Sequence, residues 1–526
     1  MKILPLILLT LTIAIQAQTK EIIGYFPEWG VEDLRYTVKN VEKTGAAEKL
    51  TTIMYAFSYP APDSLGNIVP MFMDAFRAYL QPYTAEMSID GVADDSLNQA
   101  LRGEFNQLKK LKARHPKLKV MISIGGWTSS VYFSDAALTP SSREKFVSAV
   151  IDRYILGNLP RANGAGGPGA AAGVFDGIDL DWEYPISGGN TGIHNNPNDN
   201  NNLTELYALF RNKLDEIRPG LFLTSAVPVA RHLVKNYNMK KDQQYLDWYD
   251  LMTYDLRSSW SKITGHHTNL FSTFSPTEPR GMKESLDYAI KYFRDTLGVA
   301  GSKLVPGAAF YGRGWITVDT VNCGLYRKGK VASESGYSYY SVLSQLTRQG
   351  FCYNWDNVAM APILFNHNSR TFWSFDDEKS VALKSRYVDA YNLRGIMFWE
   401  LSGDDSSGSL LKAIYNRDMS VNPSMANMKT KNIKPGLKEI KITSPEGSAS
   451  LKRGNSVIIT TDASKYAGQL IRVEFFVDDK PIGFDTKAPF SWVWFNMQKG
   501  SHNLRAVATD ANRLRINSAV VSVNVE

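Results

Sequence analysis

Two cysteines in 526 residues, Cys323 and Cys352, leave room for at most one disulfide, so cross-links are not what holds a chain of this length together. They lie 29 positions apart, and the alternative to a bridge is two buried thiols. Positive charge is in modest excess, +7, and is not gathered into basic blocks, which excludes a nucleic-acid-binding tail and leaves solubility as its role. Beyond the N-terminus no apolar run approaches the ~18 residues of a spanning helix. No tandem repeat stands out. Aromatic residues are plentiful: 12% of the chain, with 11 Trp and 26 Tyr, is enough for some rings to face a ligand rather than the core.

The chain begins Met1-Lys2, runs apolar from Ile3 to Ile15 and continues Gln16-Ala17-Gln18. This is the pattern of a secretory leader over residues 1–17, cleaved near Ala17, and implies export to an extracellular or periplasmic location. No cysteine stands there for a lipid anchor. From residue 18 to 418, short β-rich runs alternate with amphipathic helical patterns. The strand candidates are 21–26, 50–57, 118–126, 175–183, 221–229, 249–255, 303–311 and 394–401. Helix candidates between them include 96–115, 142–156, 203–218 and 282–298. Eight strand–helix repeats predict an α/β fold of the (β/α)8 TIM barrel type, with working groups at the C-terminal strand ends.

Some 80 residues separate the last two strands, far beyond an ordinary connection, and predict a small α+β insertion over about 314–390 on the active face. The Gly/Ala-rich stretch 162–173 reads as a flexible loop. Residues 419–437 lack periodicity and read as a linker; from 438 to 526, alternating strands and turns predict an all-β immunoglobulin-like sandwich without the antibody disulfide. In FSWVWF (490–495), Trp492 and Trp494 share one face, as either an exposed platform or, the preferred reading, packing against the opposite sheet.

The fourth strand candidate, FDGIDLDWEY (175–184), carries Asp176, Asp179, Asp181 and Glu183 among Phe, Ile, Leu and Trp. Buried carboxylates are costly unless paired, hydrogen-bonded or protonated. Strand parity puts Asp179, Asp181 and Glu183 on one face and Asp176 on the other, where it supports the strand. Neighbours two apart sit ~6.6 Å from each other along a strand, so the triplet shares protons and holds one carboxyl protonated near neutrality. A protonated carboxyl beside an ionised one is what glycosidic cleavage requires. The alternatives are a polar plug or a cation site, and a straight strand does not wrap an ion as a loop does.

Asp176-x-x-Asp179-x-Asp181-x-Glu183 resembles the DxxDxDxE signature of family 18 glycoside hydrolases, mostly chitinases. SIGGW (123–127), MTYD (252–255), YGRGW (311–315), MFWEL (397–401) and GYFPEWG (24–30) resemble further family elements in the same order, over roughly residues 21–415. The insertion is similar to the chitinase insertion domain of the bacterial chitinase A-like subgroup, and the C-terminal domain to immunoglobulin-like modules of bacterial glycosidases. The resemblance implies a retaining, substrate-assisted hydrolysis of β-1,4-linked N-acetylglucosamine. In it Glu183 is acid and then base, Asp181 orients the acetamide, Asp179 modulates Asp181, and Tyr254 donates to the acetamide carbonyl. It also implies a binding groove of Tyr25, Trp29, Phe57, Trp127, Met252, Asp255, Arg313 and Trp399, with Trp315 further along.

No cofactor or metal is implied. His266 and His267 have no third ligand at metal-like spacing, and TGHH (264–267) resembles the family's loop after the sixth strand. YSYY (337–340) offers either a groove wall or subdomain core. The expected partner is chitin or its oligosaccharides, not nucleic acid or a membrane, and the expected state is a monomer. The competing functions are an endo-β-N-acetylglucosaminidase acting on N-glycans and a non-catalytic chitin-binding lectin.

Overall fold

The structure is a computed structural model that describes residues 20–33, 35–273, 284–332, 336–417, 440–447, 449–466, 470–510 and 515–526. The leader and linker expected at 1–17 and 419–437 lie outside them.

Eight parallel strands close into a barrel: β1 (Glu21–Pro27), β2 (Thr52–Pro62), β3 (Lys119–Gly125), β4 (Gly177–Asp181), β5 (Phe222–Val227), β6 (Trp248–Leu251), β7 (Leu304–Ala309) and β8 (Gly395–Trp399). The β1–β8 and β1–β2 pairings complete the ring. Their Ile, Val, Leu and aromatic content suits strands buried on both faces. The outward side chains pack under amphipathic helices, among them α1 (Gly103–Arg114), α2 (Pro140–Val150), α3 (Asp199–Ile217) and α4 (Glu378–Ala390). Sequence chemistry sets the helix ends. Thr139 and Ser142 form a reciprocal capping box ahead of α2, with Pro140 at its first turn, and Asp377 with Ser380 does the same for α4. Each cap stabilises by about 1 kcal/mol.

Inside the barrel, Ile23, Met54, Met121, Trp248, Val305 and Met397 form an apolar floor, with Tyr25 and Phe57 above it. The acids of β4 therefore sit in a low-dielectric medium. Asp176 points the other way: its carboxylate accepts from the Val120 N–H at 3.0 Å and pairs with Lys112 at 2.7 Å, tying β4 to β3 and α1.

Between β7 and β8 an antiparallel sheet is built from Tyr311–Ile316, Lys330–Val331, Tyr337–Tyr339, Cys352–Asp356, Ala361–Asn366 and Thr371–Phe375. Trp315 does not reach a groove. It is 1% exposed, donates to the Ser261 carbonyl at 2.8 Å and packs on Phe372 in the core of this sheet. Cys323 and Cys352 are unbonded. The Gly/Ala-rich stretch is not wholly loop either. Its start forms a short ribbon, Leu159–Ala162 with Ala165–Gly167, because small residues such as the buried Ala165 and Ala171 allow close backbone packing.

The C-terminal domain is a sandwich of a three-stranded sheet (Lys441–Ser444, Val457–Asp462, Ser491–Trp494) and a larger one centred on Leu470–Val477 and Gly500–Asp510. Trp492 and Trp494 are buried, at 2% and 9% exposure, so they form no platform. The Arg386 guanidinium of α4 lies 4.8 Å over the Trp492 ring and donates to the Ile482 carbonyl. Lys379 of α4 pairs with Asp485 at 2.8 Å, and Asn496 donates to the Ala390 carbonyl. The sandwich is thus docked on the barrel.

Candidate active site

Register explains how Asp179 is held. Ser123 of β3 and Thr224 of β5 are its paired neighbours on either side, so their hydroxyls point inward with it. Ser123 Oγ donates to Asp179 at 2.6 Å, Thr224 Oγ1 at 2.8 Å and Tyr25 Oη at 3.1 Å. Burial raises the carboxyl, and these three donors pull it back toward the ionised form. Asp181, one inward step further, has a buried oxygen with no partner. Burial, then the charges of Glu183, Asp179 and Asp250, push it well above the carboxylate range, which favours its protonated form.

Glu183 lies just past the end of β4. Its backbone N–H donates to Ser130 Oγ at 3.0 Å, and Ser130 donates in turn to the Gly126 and Asp181 carbonyls. The glycine pair of SIGGW makes this contact possible. Gly125 has φ +114°, and a Cβ there would meet the Asp181 carbonyl oxygen at 2.2 Å. Burial lifts Glu183 to about 7, with Tyr184 holding it down and the Asp255 charge adding to the rise. A carboxyl that titrates near neutrality is suited to donate and then accept a proton.

β6 ends at Leu251, earlier than its sequence pattern suggests, because Thr253 turns back onto the Leu251 carbonyl and Asp255 takes a positive φ. That turn presents Met252, Tyr254 and Asp255 at the mouth. The Tyr254 hydroxyl meets only a soft acceptor, Met397 Sδ, at 3.8 Å, and its ring lies where a Cβ on Gly307 would clash at 2.6 Å. Asp255 forms a two-point ion pair with Arg313 at 2.6 Å and sits 3.8 Å from His267, too far for a hydrogen bond. Burial alone would raise Asp255, but His267 and Arg313 hold it well below the usual range. Arg313 is flanked by the Tyr311 and Tyr337 rings at 5.2 and 5.3 Å, so YSYY contributes Tyr337 to the site's edge, while Tyr340 is core.

Trp399, at the end of β8, is surrounded by rings. Phe57 stacks on it at 5.7 Å, Tyr25 lies at 5.6 Å and Trp29 at 6.1 Å. Trp127 is 51% exposed and contacts Tyr184 at 6.5 Å. Of the twelve residues expected from the sequence, Tyr25, Phe57 and Asp179 lie within β1, β2 and β4, Arg313 lies on the first strand of the insertion, and the other eight stand at or just beyond the C-terminal ends of barrel strands. The sequence reading missed Ser123, Thr224, Ser130 and Tyr184, which hold the acids, and Trp260, 66% exposed on the loop after β6. It also missed Asp250, although alternation with Met252 and Tyr254 signals an inward side chain. His266 bonds to Asp356 of the insertion at 2.9 Å, fixing the TGHH loop; among the described residues no acid, histidine or cysteine cluster has metal-binding form.

Residues 21–404 match Glycosyl hydrolases family 18, and the chain belongs to that family. Residues 439–506 match Bacterial Ig domain. The chain is 32% identical over 420 residues to Chitinase A1 of Niallia circulans, covering 74% of this chain and 57% of that protein. It is 32% identical over 396 residues to Chitinase C of Streptomyces lividans, covering 73% and 57%. The chain thus spans less than two thirds of these relatives. Among solved structures, the catalytic domain of psychrophilic chitinase B from Arthrobacter TAD20 superposes with a TM-score of 0.70 at 33% identity, covering 76% of this chain and 95% of that one. Chitinase ChiA74 from Bacillus thuringiensis gives a TM-score of 0.64 at 26% identity, covering 97% and 85%.

Proposed function

We propose that the protein is an exported chitinase that hydrolyses β-1,4 linkages between N-acetylglucosamine residues with retention, through substrate assistance. The observation that carries this reading is the acid ladder of β4: Asp179 held by three donors, Asp181 with an unpartnered oxygen above it, and Glu183 just past the strand's end. Similarity to the named chitinases supports the substrate class.

The reacting sugar rests its apolar face on Trp399, and Glu183 protonates the glycosidic oxygen. The substrate's own acetamide oxygen attacks the anomeric carbon, giving an oxazolinium ion and the free leaving chain. Tyr254 donates to that oxygen. Asp181 accepts from the acetamide N–H and supplies negative charge opposite the developing positive charge, in a site shielded from water. Glu183, now ionised, takes a proton from water as it opens the ring, and both inversions together retain configuration. Asp255 and Arg313 fix the side of the groove nearest the insertion.

An N-glycan-cleaving enzyme with the same acids is the competing activity. The insertion sheet, with Arg313, Tyr311 and Tyr337 at its edge, forms a wall that suits a linear chain. Parallel digestion of colloidal chitin and a high-mannose glycoprotein tests this. Soluble N-acetylglucosamine oligomers from chitin alone are expected; glycan release without chitin hydrolysis overturns the reading.

A further inference from the structure

The mechanism above leaves one acid of the barrel lumen without a role. Asp250, on β6, is fully buried and lies on the same inward face as Trp248. Thr224 pairs in register with both Asp179 and Trp248, which places Asp250 one inward position further toward the mouth. Its register partners, Ala226 on β5 and Val305 on β7, offer no polar side chain. The titratable groups it faces are Asp179 and Asp181 of β4, Tyr25 and Glu21 of β1, and Tyr254 beyond its own strand, all acids or phenols. Arg394, the cation below, stacks 5.3 Å from the Trp248 ring and pairs with Glu21 at 3.0 Å.

The two neighbouring acids are solvated very differently. Asp179 accepts three hydrogen bonds through both oxygens. Asp250 accepts one, from Trp248 Nε1 at 3.0 Å, and its other oxygen is buried without a partner. An anion is stable in the first setting and costly in the second. We propose that Asp250 is a fourth carboxyl of the catalytic lumen, kept neutral, and that it acts as a positioning residue by leaving Asp179 as the one fixed anion beneath Asp181. Burial and the Asp179 charge raise its carboxyl well above the usual range, against the Trp248 hydrogen bond.

The consequence, which rests on the proposed chitinase chemistry, concerns Asp181. That residue must become an anion as the oxazolinium forms. A second anion beside it would hold its proton in place. Asp250 keeps the charge of the ladder low enough for Asp181 to ionise when the substrate needs it, and its own ionisation at alkaline pH ends that condition.

Asp250→Asn tests the proposal through three readouts. A folded pKa above the unfolded value means the wild type loses stability as pH rises above about 4, so the Tm advantage of the variant should widen by about 2 °C or more between pH 4 and 8. The infrared carbonyl band of one protonated carboxyl should be lost in the variant and so stand out in the difference between wild type and variant. The fall of kcat on an N-acetylglucosamine hexamer, begun by Glu183 near pH 7, should be less steep at higher pH in the variant, since the amide adds no second ionisation. A Tm difference constant with pH or an unchanged carbonyl band overturns the neutral carboxyl, and a kcat profile that tracks wild type at every pH overturns the positioning role. If Asp250→Asn does not fold, Trp248→Phe removes the one donor to Asp250 among the described residues; the band should then persist to higher pH, and its loss at lower pH overturns the proposal. A wild type without turnover on the hexamer defeats the functional reading, while Tm and infrared still decide the state of Asp250.

Discussion

The barrel lumen and the flank of α4 both bury ionisable groups, under opposite rules. Along α4, Lys384 and Asp376 are fully buried and form an ion pair at 2.5 Å, with Thr268, Ser380 and the Ala309 N–H completing the set. Lys379 and Asp485, at 6% and 1% side-chain exposure, do the same across the contact with the sandwich. In the lumen four acids are gathered, and among the described residues no cation pairs with Asp181. Structural burial pairs opposite charges; the lumen gathers acids, and three donors to Asp179 together with protonation of its neighbours make that tolerable. Stability and chemistry have been separated within one domain.

The sharpest way to break the comparison is to remove one member on each side. Glu183→Gln takes away the proton donor, and kcat should fall by about 10²–10⁴-fold or more while oligosaccharide binding persists, read by steady-state kinetics and calorimetry. Lys384→Met leaves Asp376 buried and unpaired, and should cost about 3–5 kcal/mol of stability in a denaturant titration, with little of that cost appearing in the Lys384→Met/Asp376→Leu double variant. Asp181→Asn removes the anion opposite the developing charge, and should lower kcat by about 10²–10³-fold with a small effect on KM.

A gentler test uses pH. Glu183 titrates at about 7 in the folded chain against about 4.3 unfolded. Its favourable contribution to stability is fully present below about 4.3 and is lost as pH rises through 7. Glu183→Gln should therefore gain in Tm over the wild type across that window, and wild-type kcat should decline above pH 7 as the donor ionises. The smallest effect is expected outside the barrel. Asp176→Asn weakens the pairing with Lys112 but keeps an acceptor for the Val120 N–H, and should cost about 1 kcal/mol or less.

Much of the barrel was legible because each strand is a short apolar run bounded by helix periodicity, and strand parity separated Asp176 from the other three acids without any tertiary information. What parity could not supply is the identity of partners distant in sequence. Ser123 and Thr224 meet Asp179 only through inter-strand register. The early end of β6 depends on the turn at Thr253, which a run such as YDLMTYD does not advertise. Trp315 was misread because alternation along Tyr311–Ile316 puts it on the face of Arg313, yet two residues further along the strand Val318, Phe365 and Phe372 close over it as the insertion core.

The central claim is that Glu183 and Asp181 act on a substrate that supplies its own nucleophile. The anomer first released from an N-acetylglucosamine hexamer, followed by NMR before mutarotation, tests it most directly. Substrate assistance releases the β anomer first, and initial formation of the α anomer would contradict it.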